Sequence, residues 1–228
     1  MFNVGSGSAD GKGIGSLADN SFNYFGLGLY SAYTYDKFGV SADLTYTQVD
    51  NELSAQTGFS DFGNISADVD SSVISLGVTG QYIFNIDKLN IIPHMGLRYS
   101  ASDVDDYTVK SSLGDIAYTD NSTQNIFSVP VGVTFSSDFT NGDWTVKPAF
   151  DLTLTANAGD TDINYETTFV GTSKLALDST VADEFTYKAA FSVEVANDEN
   201  FSVAFGLDYT GSENTKSYGV RLNANYAF

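Results

Sequence analysis

The chain closes on Ser217-Tyr218-Gly219-Val220-Arg221-Leu222-Asn223-Ala224-Asn225-Tyr226-Ala227-Phe228, and the reading of this stretch decides the fold. Taken at alternate positions, Tyr218, Val220, Leu222, Ala224, Tyr226 and Phe228 form an apolar set with aromatics at both ends. The interleaved Gly219, Arg221, Asn223, Asn225 and Ala227 are small, polar or charged. Successive side chains of a strand point to opposite faces, so a period of two predicts a two-faced strand. A terminal strand with an aromatic at its last position fits a membrane-crossing strand. Its apolar face meets lipid and its aromatics sit at the membrane–water boundary.

Working outward, the same pattern recurs along most of the chain. Phe25, Leu27, Leu29 and Tyr33 share a face, then Phe38, Val40, Ala42, Leu44 and Tyr46. Ile74, Leu76, Val78, Tyr82 and Phe84 follow, then Leu89 to Tyr99 at odd positions. Phe127 to Phe135, Trp144 to Leu154, Phe185 to Val195 and Phe201 to Tyr209 repeat it. The opposite face is Gly, Ser, Thr and Asn with scattered charges: Asp43, Arg98, Lys147, Asp151, Lys188, Glu194, Asp208 and Arg221. The reading is an all-β, antiparallel up-and-down transmembrane barrel, with about nine complete strands and a stub at residues 1–4.

Connections alternate in length. Tight turns are expected near Asp36, Asp87, Gly142 (an Asn-Gly hairpin signal) and Asp198. Long polar loops are expected at 5–20, 50–70, 101–124 and 157–183, and a shorter one at 210–216. Antiparallel neighbours joined this way put the turns at one end and the loops at the other, as in outer-membrane barrels with short periplasmic turns.

Composition excludes several classes. Ten Lys and Arg stand against 29 Asp and Glu, a formal charge of −19, which rules out nucleic acid as partner because phosphate binding needs a basic surface. There is no Cys, hence no thiolate metal site, disulfide or Cys nucleophile. A soluble sandwich also alternates, but its solvent face carries Lys and Glu more densely than the polar face here. Aromatics also gather at strand ends, as two interfacial girdles require.

Candidate chemistry is sparse. His94 is the single histidine and reads as a hydrogen-bonded residue on the polar face, with no nucleophile picked out beside it. The glycines around Lys12 fail the phosphate-loop pattern, since Ser6 and Gly13 stand where Gly and Ser or Thr are needed. The groups Asp68/Asp70, Asp103/Asp105/Asp106 and Asp160/Asp162 lack a full calcium-loop spacing and read as solvated loops. No catalytic, cofactor or metal residue is assigned, and the chain reads as a non-enzyme. Asp208 and Arg221, on the two arms of the last hairpin, are expected to pair on the inside.

The chain resembles the autotransporter β-domain, the translocator of type V secretion. The resemblance rests on Phe25-Gly26-Leu27-Gly28-Leu29-Tyr30, Asp43 with Leu44 to Tyr46, and Pro93-His94-Met95-Gly96-Leu97-Arg98-Tyr99. Pro130-Val131-Gly132-Val133, Pro148 to Leu154, Tyr209-Thr210-Gly211-Ser212 and Tyr226-Ala227-Phe228 add to it, over most of residues 21–228. It implies a barrel of about twelve strands in the full domain, of which residues 1–228 would be an N-terminally truncated part. It also implies residence in the outer membrane of a Gram-negative bacterium. The implied role is to anchor an upstream passenger and assist its export to the cell surface. The implied partners are outer-membrane lipid, the barrel-assembly machinery and the passenger. Leu222, Tyr226 and Phe228 would be the assembly signal. The alternative is a stand-alone small barrel acting as a pore or surface adhesin.

Overall fold

The computed structural model describes residues 2–10, 18–56, 63–121, 123–170, 174–180, 182–197 and 200–226. Every regular element among them is a strand. In chain order these are β1 (Phe2–Asp10), β2 (Ala18–Tyr35), β3 (Phe38–Gln56), β4 (Asn64–Tyr82), β5 (Phe84–Ile86), β6 (Leu89–Val104), β7 (Tyr107–Ser111) and β8 (Gly114–Asp120). Then come β9 (Gln124–Ser137), β10 (Phe139–Asn141), β11 (Trp144–Gly159), β12 (Asp162–Phe169), β13 (Lys174–Thr180), β14 (Phe185–Asn197), β15 (Phe201–Gly211) and β16 (Lys216–Tyr226). They make one 16-stranded antiparallel sheet, curled up-and-down, in which each wall strand pairs with its neighbours in sequence. The wall runs β1, β2, β3, β4, β6, β9, β11, β14, β15, β16. Among the described residues β1 pairs with β2 alone and β16 with β15 alone.

Tight turns occupy one end, and left-handed residues close them. Asp36 (φ 51) joins β2 to β3, Asp87 (φ 52) joins β5 to β6, and Gly142 (φ 59) joins β10 to β11. Asp and Gly are the residue types that tolerate this conformation in two-residue hairpins. The expected turn at Asp198 lies outside the described residues. At this end Tyr82 and Phe84 stack with ring centroids 4.8 Å apart. A second aromatic belt stands higher on the wall, with Tyr99 on Phe127 at 4.9 Å and Tyr209 on Tyr218 at 5.1 Å.

The far end departs from the sequence reading. β3 and β4 each run 19 residues, whereas about 9–11 suffice for a tilted strand to cross a bilayer. The outward face of β3 is apolar at Leu44 and Tyr46, then continues as exposed Gln48, Asp50 and Glu52. On β4 exposed Ile74 and Leu76 give way to exposed Asp68 and Asp70. Inward positions invert the other way, to Val49 on β3 and to Ile65, Ala67 and Val69 on β4. The strands therefore continue past the lipid into water, where the outer side turns polar and the inner side becomes a small core. Among the described residues Ala67, Val69 and Ala117 are the buried apolar ones, and Thr119 pairs its hydroxyl with Thr167 at 3.1 Å beside them.

Several expected boundaries are corrected accordingly. Residues 5–10 belong to β1, paired with β2 from Phe2↔Leu27 to Asp10↔Asp19, rather than to a loop after a stub. The expected loop 50–70 is largely the paired ends of β3 and β4. The expected loop 101–124 holds the hairpin β7–β8, which abuts β4 at Lys110↔Ser66. The expected loop 157–183 holds the hairpin β12–β13, which pairs with β8. Of 210–216, Thr210 and Gly211 end β15 and Lys216 begins β16. The physical reason is common to all of them. Beyond the lipid the apolar-out signal is lost while backbone pairing continues.

Acidic residues of this end act as cross-links. Asp106 accepts from the Asn121 amide (2.8 Å) and the Tyr118 hydroxyl (2.9 Å). Asp160 accepts from the Asn125 amide at 2.9 Å, Asp103 from Thr123 at 2.8 Å, and Asp162 from Thr180 at 2.9 Å. Asp183 ties down the loop between β15 and β16 by accepting from the Asn214 amide at 3.1 Å. The Asn121 amide first, then the Tyr118 hydroxyl, hold the Asp106 carboxyl below its ordinary value. The Ser212 hydroxyl first, then the Asn214 amide, do the same for Asp183.

Two predictions follow from this architecture. Arg at Val131, Phe205 or Leu222, mid-strand on the lipid side, will destabilise the refolded protein by about 2–4 kcal/mol, whereas Arg at inward Asn223 will cost at most about 0.5 kcal/mol. Equal costs in a denaturant titration would contradict a lipid-facing surface. The second concerns pH. A carboxyl held low in the fold stabilises above its unfolded value, and that contribution disappears as pH falls through the folded value. Amide protection at Asn121 and Asn214 will therefore hold at about pH 5 and disappear only below the ordinary 3.8. Asp183→Asn will weaken Asn214 protection across the range; unchanged protection in that variant would contradict the cross-link.

Candidate functional site on the inward face

Inward positions are small by pattern, and the wall's charges sit among them in register. Asp43 of β3 lies opposite Gly77 of β4, and Gly77 lies opposite Arg98 of β6. Arg98 Nη2 donates to Asp43 Oδ1 at 2.8 Å, across the intervening strand. The bridge is possible because Gly77 has no side chain. A Cβ there would stand 2.7 Å from both Arg98 Nη2 and Asp43 Oδ1.

The same arrangement recurs on the other side of β6. His94 lies opposite Gly132 of β9, and its Nε2 reaches past that glycine to Asp151 Oδ2 of β11 at 2.8 Å. A Cβ on Gly132 would meet His94 Cε1 at 2.5 Å, and also the backbone oxygen of Leu152 at 2.5 Å. Asp151 further accepts from Thr134 at 2.7 Å and Thr153 at 2.8 Å. β6 thus sends Arg98 over β4 to β3 and His94 over β9 to β11. Two side chains lace five consecutive strands. In the last hairpin Arg221 faces Gly206 and Asp208 faces Gly219, and Arg221 Nη2 donates to Asp208 Oδ1 at 2.9 Å. A Cβ on Gly219 would meet both carboxylate oxygens of Asp208 at 2.7 Å.

The remaining sequence candidates are placed as follows. Lys147 of β11 lies directly opposite Glu194 of β14, and Lys188 lies between Thr153 and Thr210. Leu222 and Tyr226 are on the outward face of β16, 74% and 62% exposed. Phe228 and residues 11–13 lie outside the described residues. Near His94 the hydroxyls of Thr134 and Thr153 donate to Asp151, so the carboxylate, not the imidazole, is the centre of the cluster. Such a carboxylate with three donors orients its neighbours and fixes strand register. A further ion pair, Lys174 with Glu166 at 2.7 Å, joins β12 to β13 with no glycine between and both side chains more than half exposed. It is of the surface kind that contributes little.

Sequence reasoning reached Asp208 and Arg221 as a pair because they share a hairpin. It did not reach Asp43 with Arg98 or His94 with Asp151, whose partners sit two strands away. A signal was present in the opposing glycines Gly77 and Gly132, readable only once the strands are laid in register. Thr134, which sequence places among neutral inward positions, is a ligand of the Asp151 cluster.

Comparison with known proteins bears on this wall. The sequence model of the family described as "Autotransporter beta-domain" matches residues 1–210. The match therefore starts before the stretch that sequence resemblance reached and stops short of β16. No curated protein sequence matches the chain. Among solved structures, the translocator domain of autotransporter NalP from Neisseria meningitidis is similar with a TM-score of 0.69 at 14% identity, covering 92% of this chain and 68% of that one. The beta domain of the Bordetella autotransporter BrkA is similar with a TM-score of 0.63 at 14% identity, covering 92% and 75%. At these identities the likeness is one of fold: a curled wall of antiparallel strands. The chain belongs to the autotransporter β-domain family, and its sheet is the outer-membrane barrel wall of that family.

Proposed function

We propose that this wall anchors a passenger carried by the same precursor and assists its export to the surface of a Gram-negative cell. The observation that carries the reading is the inward face, which is hydrophilic through the membrane-crossing part of the wall and has its charge bridges laid along it. Such a surface suits a water-containing passage, where a polar chain can move without strong contacts. Its Gly, Ser and Thr positions offer no large side chain to fill the space. The resemblance supports Leu222, Tyr226 and Phe228 as the signal read by the barrel-assembly machinery. Leu222 and Tyr226 lie exposed on the outward face of β16, as a signal read from the lipid side requires. The role needs no bond-making chemistry, and we assign no catalytic residue.

The test is expression of the gene in its native reading frame, with all of its upstream sequence, and antibody labelling of intact cells. The upstream region will be labelled at the cell surface. In a strain lacking Phe228, both inserted barrel and surface label will fall together. Upstream sequence retained in the periplasm beside a normally inserted wild-type barrel would contradict the translocator reading. Unchanged insertion without Phe228 would contradict the assembly role.

A further inference from the structure

Among the described residues the three charge bridges of the inward face each cross or flank a glycine, whereas the ion pair of the outer hairpin does not. The consequence concerns where long charged side chains go. On a strand face, directly opposed Cβ atoms are only about 4.5–5.5 Å apart. An Arg beside a residue with a side chain must therefore rise off the sheet, which on a concave wall means into the lumen. Over a glycine it can lie flat. We infer that Gly77 and Gly219 are clearance positions. By leaving a slot in the wall, they hold Arg98 with Asp43, and Asp208 with Arg221, flat along it and out of the passage. Part of what sets the bore is therefore the residue opposite each charge and not the charge itself. The inference deepens the translocator reading and rests on it only for what the cleared space is used for.

Gly77 and Gly219 are better placed to show this than Gly132. At Gly132 an added carbon meets the Leu152 backbone as well as His94, so a substitution there disturbs the wall itself. At Gly77 the nearest atoms are the tips of Arg98 and Asp43, and at Gly219 they are the carboxylate of Asp208. These tips can move, so the backbone survives the change while the side chain is displaced inward. Gly80, on the outward face of the same strand opposite Val40 and Met95, is the control for a carbon added to β4 outside the slot, since it meets nothing within 4 Å.

The experiment is single-channel recording in planar bilayers of the protein with all the sequence its gene encodes, inserted amounts being measured in parallel. Gly77→Ala is expected to lose conductance at normal insertion. Arg98→Ala added to Gly77→Ala is expected to restore it, and Gly80→Ala to match the wild type. Gly219→Ala, with Asp208→Ala as its restoring partner, repeats the comparison at an independent slot. A merely structural glycine would leave the double variants as impaired as the single ones. That result, or wild-type conductance in both single variants, would overturn the inference. So would failure of both single variants to insert, because the added carbon meets only movable tips. Surface display of the upstream region in the same strains is a separate readout. If conductance follows the slots while the wild type displays nothing, the translocator reading fails and the clearance assignment stands.

Discussion

Every backbone amide and carbonyl that enters hydrocarbon must find its partner within the protein, since lipid offers none and each unmet group costs several kcal/mol. The rest of this structure depends on that constraint. It forces the crossing segments into a continuous antiparallel ladder, from Phe2↔Leu27 of β1 and β2 to Gly211↔Lys216 of β15 and β16. The ladder imposes a period of two on the side chains, and the environment then assigns polarity to each face. Leu, Val, Phe and Tyr go outward to lipid; Gly, Ser, Thr and the charges go inward. The same backbone pairing continues where lipid ends, but polarity there follows water. That is why Asp68 and Asp70 stand on the side that carries Ile74 and Leu76 a few residues later.

This explains what could be read from residues alone. Between the two aromatic belts the period and the polarity agree, so β6, β9, β11, β14 and β15 could be placed with the correct face outward. At the upper end of β3, Gln48, Asp50 and Glu52 keep the period but lose the apolar signal, and a reading based on apolar alternation ends the strand early. β1 failed for a related reason: Gly5, Ser6, Gly7 and Ser8 look like a loop, yet in register they are a strand against Tyr24, Asn23, Phe22 and Ser21. The acidic runs read as solvated loops are also structural. Asp103, Asp106, Asp160 and Asp162 each hold a neighbouring segment.

The inward face was legible as a composition but not as a set of pairs. Charges were assigned to it one by one, and Asp43, Arg98, Asp151, Asp208 and Arg221 meet partners there. What binds them is register, a property of two or three strands at once. A glycine opposite a charged residue has no meaning in one strand, but across the sheet it lets Arg98 and His94 reach strands beyond their immediate neighbours. The side chains of these bridges are partly exposed, so their contribution to stability is modest. Their larger effect is geometric: they fix register around β6 and lay the charged side chains along the wall.

The central claim is that one continuous two-faced ladder leaves the lipid at Tyr46 without ceasing to be a strand. The absence of native Cys allows a single reporter cysteine at each position from Phe38 to Glu52 of β3. Spin labels there can be tested in bilayers for contact with oxygen, which concentrates in lipid, and with a water-soluble nickel chelate. Lipid contact should alternate, high at Phe38, Val40, Ala42, Leu44 and Tyr46 and low between them. From Gln48 onward the outward positions should contact the chelate while the two-residue alternation persists. Lipid contact continuing through Asp50 and Glu52, or no alternation along the strand, would contradict the account.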